Sequence, residues 1–90
     1  PPLPAEVLDA AGRPVRVDGR GEVSAPPATV AAGGQRDEVV AWAGPWPYDE
    51  RWWDPGRHRR RARLQVATAG GAAHLLAIEG GRWWVEATYD

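Results

Sequence analysis

Cysteine, phenylalanine, methionine and lysine are all missing from this 90-residue chain. Without cysteine there is no disulfide framework and no thiolate metal site, a composition suited to a reducing cytosol. Long apolar runs are missing too. No stretch of 18 apolar residues exists, so no membrane-spanning helix and no membrane partner are expected. No signal-peptide pattern is visible. Excess charge is absent: the net charge of −1 exerts no overall pull toward nucleic acid or anionic membrane. Nucleophiles are scarce as well. Ser24 is the single serine, and His58 and His74 stand in unrelated contexts. Nucleophilic catalysis needs a base positioned on its nucleophile, and no spacing here suggests one. No His–x–His or His–acid spacing suggests a metal site. The chain is therefore expected to be no enzyme, with no cofactor and no metal.

What is present is concentrated. Six tryptophans occur in 90 residues, three of them in the stretch AGPWPYDERWWD at 43–54 and two more in GGRWWVEATYD at the end. Each such ring buries roughly 150–250 Å², so most of the burial free energy sits in two short places. All eleven basic side chains are arginine. The bias toward Ala, Gly, Pro, Arg and Val is that of GC-rich coding and points to a high-GC bacterium. The start at Pro1-Pro2, with no initiator Met, reads as the terminal piece of a longer protein.

Helical periodicity is nearly absent, and glycine or proline punctuates the chain at the spacing of an all-β domain. The expected fold is one small all-β domain over 1–90. It has about six short antiparallel strands, barrel-like or as a strongly bent sheet. Strands are read at 5–9, 14–18, 22–25 and 39–43. The last is taken as central, with Trp42 in the core, and as broken by Gly44-Pro45 and Pro47. Leu3, Leu8, Leu64, Leu75, Leu76 and Ile78 are the other large core candidates. The glycine-rich span 28–38 reads as a mobile loop. Asp54-Pro55 reads as a helix start. The last third is clearest. Ala62, Leu64, Val66 and Thr68 alternate with Arg61, Arg63 and Gln65. Gly70-Gly71 and Gly80-Gly81 then make hairpins of a three-stranded meander. Contact between the N-terminal hairpin and this meander is expected, because each sheet must cover one face. In the final strand Trp83 and Trp84 point to opposite sides. Trp83, in register with Val85 and Ala87, is the core member; Trp84, in register with Glu86 and Thr88, lies on the polar face.

The stretches AGPWPYDERWWDP, RRRARLQV and GGRWWVEATYD, with AEVLDAAGRPVRVDGRGEVSAPP before them, resemble the C-terminal region of ImuB. This is a family of Y-family polymerase homologues found in actinobacteria and other bacteria. The resemblance covers nearly the whole chain. It implies a non-catalytic hub of a DNA-damage-induced mutagenesis complex. The implied partners are a RecA-like accessory protein (ImuA-prime), a DnaE-type error-prone polymerase and the sliding clamp. The family's C-terminal region is associated with the first two. Its clamp-binding motif lies upstream, and neither Gln35 nor Gln65 leads a matching stretch here, so no clamp binding is assigned. The implied localisation is cytoplasmic, on the nucleoid within the complex.

Two sets of candidate residues follow. Tryptophan and arginine are enriched at interface hot spots, which makes Trp46, Tyr48, Arg51, Trp52, Trp53 and Trp84 candidates for binding a protein partner. Trp46, between two prolines, also reads as a packed corner of the fold. The run Arg57, Arg59, Arg60, Arg61 and Arg63 is the only dense basic patch. It reads either as a single-stranded DNA track on an OB-like domain, with tryptophans as stacking platforms, or as a solvated face paired with Asp49, Glu50, Asp54 and Glu86. The near-neutral charge favours the protein-interaction module over the DNA-binding one.

Overall fold

The computed structural model describes residues 2–48 and 61–90. Six antiparallel strands form a closed barrel: β1 (Leu3–Leu8), β2 (Thr29–Ala32), β3 (Gln35–Tyr48), β4 (Arg61–Thr68), β5 (Ala73–Glu79) and β6 (Arg82–Tyr89). Every strand pairs with its neighbour in sequence, and β1 closes the circle on β6. This is an up-and-down barrel. The five-stranded Greek-key order of an OB-fold is not the one observed.

The β4–β6 meander forms as its alternation dictates. Ala62, Leu64, Val66 and Thr68 are buried, while Arg61, Arg63 and Gln65 face outward. Gly80 and Gly81 both take positive φ, +59° and +79°. A two-residue turn of this kind matches the twist of the strands it joins, and glycine adopts it without steric cost. The connection from β4 to β5 is longer. There the Thr68 and Gly71 amides bond to the Ala72 and Thr68 carbonyls. The same turn recurs twice earlier, at Asp9–Arg13 and Asp18–Glu22, with Gly12 and Gly21 in the place of Gly71. In those two copies the leading aspartate stitches the loop further. Asp9 Oδ1 accepts the Ala11 and Arg13 amides, and Asp18 Oδ1 accepts those of Arg20 and Glu22. One turn design, a short polar residue followed three positions on by glycine, thus serves three corners.

Several expectations are corrected. Residues 14–18 and 22–25 are not strands. They belong to an excursion between β1 and β2, tied by isolated bridges Leu8↔Pro14 and Val17↔Val23. The span 28–38, expected as a loop, holds β2, the Gly33-Gly34 turn and the start of β3. Its glycines mark a hairpin turn, and Val30 beside them is core. β3 does not stop at Gly44-Pro45. It runs on to Tyr48 through a register shift between Ala43 and Trp46, with a cis Gly44–Pro45 peptide. Prolines are tolerated in a ladder at such irregularities. Gly44 sits at φ +107°, and a Cβ there would lie 3.0 Å from the Arg63 carbonyl oxygen. Trp42 is not core but 39% exposed, and Leu3 is exposed as well. The Asp54-Pro55 helix start lies outside the described residues.

The core is Val7, Val15, Val30, Ala62, Leu64, Val66, Leu76, Ile78, Trp83 and Val85. Trp83 is the aromatic member, only 5% exposed. Its indole N–H donates to the Val15 carbonyl at 2.9 Å. This bond fastens the excursion, through Val15, to the barrel, and Val17 and Val23 pack against the same core. The expected contact between the N-terminal segment and the meander is therefore made twice, by the β1–β6 ladder and by this bond.

Candidate functional site

Cross-strand register assembles one outward row. Trp46 pairs with Arg63, Arg63 with Ala77, Ala77 with Trp84, and Trp84 with Pro4. The row crosses five strands and joins residues from both ends of the chain. Beside it runs a second row, Tyr48–Arg61–Glu79–Arg82. Directly opposed side chains lie close enough to interact, so these rows make one continuous surface.

Arg63 is its centre. The guanidinium carbon sits 3.9 Å from the centroid of the Tyr48 ring. On the other side, Arg63 Nε donates to Glu86 Oε1 at 2.9 Å and Nη2 to Glu86 Oε2 at 3.3 Å. That is the two-pronged geometry only arginine offers a carboxylate. The hydrogen bond to Glu86 is the main influence raising the Arg63 pKa; partial burial opposes it, and the charge of Glu86 and the Tyr48 contact add to it. The guanidinium therefore remains cationic. Glu86 reaches this position from a ladder irregularity: Leu76 faces Val85 and Leu75 faces Ala87, which leaves Glu86 as the extra residue of β6. Because β5 separates β4 from β6, the ion pair passes over β5. Ala77, flanked by Arg63 and Trp84, is the small residue that leaves room, and it is buried although its strand position faces outward. Arg61 makes a parallel pair with Glu79, Nε to Oε2 at 2.9 Å.

Between the aromatic rings the surface dips. A hollow of about 380 Å³ is bounded by Tyr48 and Trp84, with Ala77 and Pro2 on its apolar lining and Arg61, Glu79 and Glu86 on its charged rim. Trp84 is half-buried. Trp46 is 48% exposed and does not close the barrel as a packed corner. A larger cavity, about 750 Å³, opens at the barrel end between 16–21 and the Gly80-Gly81 turn, and shares Tyr48, Arg61 and Glu79 with the hollow. Its acids are engaged: Asp18 accepts two backbone amides, and Glu79 pairs with Arg61.

The structure thus brings together Trp46, Tyr48, Trp84, Arg61 and Arg63, which sequence reasoning had divided between two rival sites. Arg51, Trp52, Trp53, Arg57, Arg59 and Arg60 lie outside the described residues. Sequence reasoning missed Ala77 and Glu79 as parts of the site. No local signal marks them; only the strand register does. His74 falls elsewhere, its Nδ1 2.9 Å from Thr88 Oγ1. Among the described residues no three His, Cys, Asp or Glu side chains group to hold a metal ion, and no helix is long and apolar enough to cross a membrane. Comparison with family models, curated proteins and solved structures finds no match for this chain.

Proposed function

We propose that this barrel is a non-catalytic protein-interaction module, and that the Trp46–Arg63–Ala77–Trp84 row is its recognition surface. The observation that carries the reading is the pairing of the arginines. Arg63 and Arg61 each hold a carboxylate at 2.9 Å, so neither presents an uncompensated charge to a phosphate. What remains on offer is aromatic and planar: Trp46, Tyr48 and Trp84 around an arginine held rigid by Glu86. Rigid aromatic and arginine groups lose little entropy on binding and dominate protein interfaces. A phosphate track has the opposite character, with arginines free to displace counterions.

The resemblance to the C-terminal region of ImuB gives this module its setting. Of the stretches that carry the resemblance, residues 43–48, 61–66 and 82–89 lie on β3, β4 and β6, three of the five strands the row crosses. On this reading the domain recruits the RecA-like accessory protein, the DnaE-type polymerase or both to a cytoplasmic mutagenesis complex on damaged DNA. The test is a side-by-side pull-down of the domain with each of these proteins and with single-stranded DNA. Capture of either protein, reduced by Trp84→Ala, supports the reading. Capture of DNA alone refutes it.

A further inference from the structure

The chain itself displays a chemistry that suits the hollow between Tyr48 and Trp84. Pro4 stands opposite Trp84 in the β1–β6 ladder. Residues two apart on a strand share a face, and Pro2, two positions before Pro4, joins the lining of the hollow. Among the described residues that ladder begins at Leu3↔Val85, so Pro2 lies beyond the last paired position. Two prolines of this chain are therefore set on the Trp84 side of the barrel. About 380 Å³ stays open beside Pro2, near the small end of the roughly 300–1,000 Å³ range of ligand pockets.

Charge narrows what can enter. Three charged side chains line the hollow: Arg61, Glu79 and Glu86. Each is held in an ion pair, Arg61 with Glu79 and Glu86 with Arg63. A charged occupant has to compete with one of these pairs, and an uncharged one does not. Backbone polarity narrows it further. An amide N–H taken out of water needs an acceptor, and proline carries no N–H. The apolar part of the lining is two aromatic rings with the small Ala77 between them in register. Aromatic-lined grooves of this kind take extended proline-bearing segments. Such a segment is ordered before it binds, so it loses little conformational freedom.

We infer that the Tyr48–Trp84 hollow takes a proline from an extended, proline-bearing segment of the partner protein, seated beside Pro2. The inference rests on the protein-interaction reading above and names the chemistry of the group that the row recognises.

NMR titration of the domain with capped hexaproline, hexa-alanine and hexalysine peptides tests it without a partner protein. The signals followed are the Trp84 indole and the Tyr48 ring. The Trp42 indole, exposed but outside the row, is the control for indiscriminate contact with tryptophan. The expected result is saturable shifts at Trp84 and Tyr48 with hexaproline alone, and none at Trp42. Trp84→Ala abolishes the Tyr48 response while thermal melting shows the domain folded. If that variant melts early, Tyr48→Ala takes its place, with Trp84 as the signal. No saturable response to hexaproline, an equal response to hexa-alanine or hexalysine, or a response that survives loss of the ring overturns the inference. The interaction reading outlives that failure if the RecA-like accessory protein or the DnaE-type polymerase is still captured and Trp84→Ala still weakens the capture. Hexaproline binding at the hollow without capture of either protein sustains the proline site and refutes the mutagenesis setting.

Discussion

Trp83 and Trp84 are chemically identical neighbours with opposite surroundings, and substituting each in turn measures what holds the barrel together. Trp83 is 5% exposed, and a buried tryptophan removes roughly 150–250 Å² from water. At about 25 cal/mol per Å² that burial is worth roughly 4–6 kcal/mol as an upper bound. Deleting the ring leaves a cavity, and the usual cost of Trp→Ala at such a site is about 3–5 kcal/mol. A domain of this size has about 0.05–0.15 kcal/mol of stability per residue, roughly 5–14 kcal/mol in all. Trp83→Ala therefore removes about a fifth of the stability or more. Since one kcal/mol shifts melting by roughly 4–8 °C in small domains, the melting point falls by more than about 12 °C. Trp83→Phe isolates the hydrogen bond. It keeps most of the apolar volume but strips the Val15 carbonyl of its donor, at about 1–3 kcal/mol for a buried group left unpaired. Hydrogen exchange then quickens across the 9–28 excursion before the barrel itself opens. Trp84→Ala, on the half-buried outer face, leaves the melting point much less changed but weakens partner binding by about 2 kcal/mol or more. Equal losses of stability for Trp83→Ala and Trp84→Ala would refute this division of labour.

Other substitutions probe the site. A double-mutant cycle of Arg63→Ala and Glu86→Ala should return a coupling of about 0.2–1 kcal/mol that shrinks as salt rises, since the pair lies near the surface; zero coupling at low salt contradicts the geometry. Ala77→Leu should displace the Arg63–Glu86 bridge from above β5 and cost about 1–3 kcal/mol by overpacking, read by thermal unfolding. Gly44→Ala faces both a positive φ and the Arg63 carbonyl, so it should destabilise by about 1–3 kcal/mol; an unchanged melting curve would argue against the strand path through 44–46. Asp18→Ala removes the acceptor for two loop amides and should cost about 1 kcal/mol, with faster exchange confined to that turn.

The all-β class and the meander were legible because their signals are local. Alternation at 62, 64, 66 and 68 placed the core face of β4, and paired glycines placed the turns. Period-two geometry alone separated Trp83 from Trp84. The Gly33-Gly34 hairpin was misread because alanine and glycine around it look like loop, while the burial of Val30 that makes it a strand depends on β1 and β3. Trp42 was misread for the converse reason. An apolar run reads as core, but β3 leaves its β2 partner at Val39 and carries Trp42 away from cover. Within the site, the pairing of the arginine face with Glu86 followed from charge, whereas the stacking of Arg63 on Tyr48 and the gap at Ala77 depend on register across four strands. No pattern within one segment encodes them.

The central claim is that the row around Arg63 and Trp84 recognises protein and not phosphate. Titration calorimetry of the domain against the accessory protein, the polymerase and single-stranded DNA, at low and at high salt, tests it most directly. The account predicts binding to at least one protein that loses little affinity as salt rises and is weakened by Trp84→Ala. Binding to DNA alone, falling steeply with salt in proportion to the phosphates neutralised and indifferent to Trp84→Ala, would contradict it.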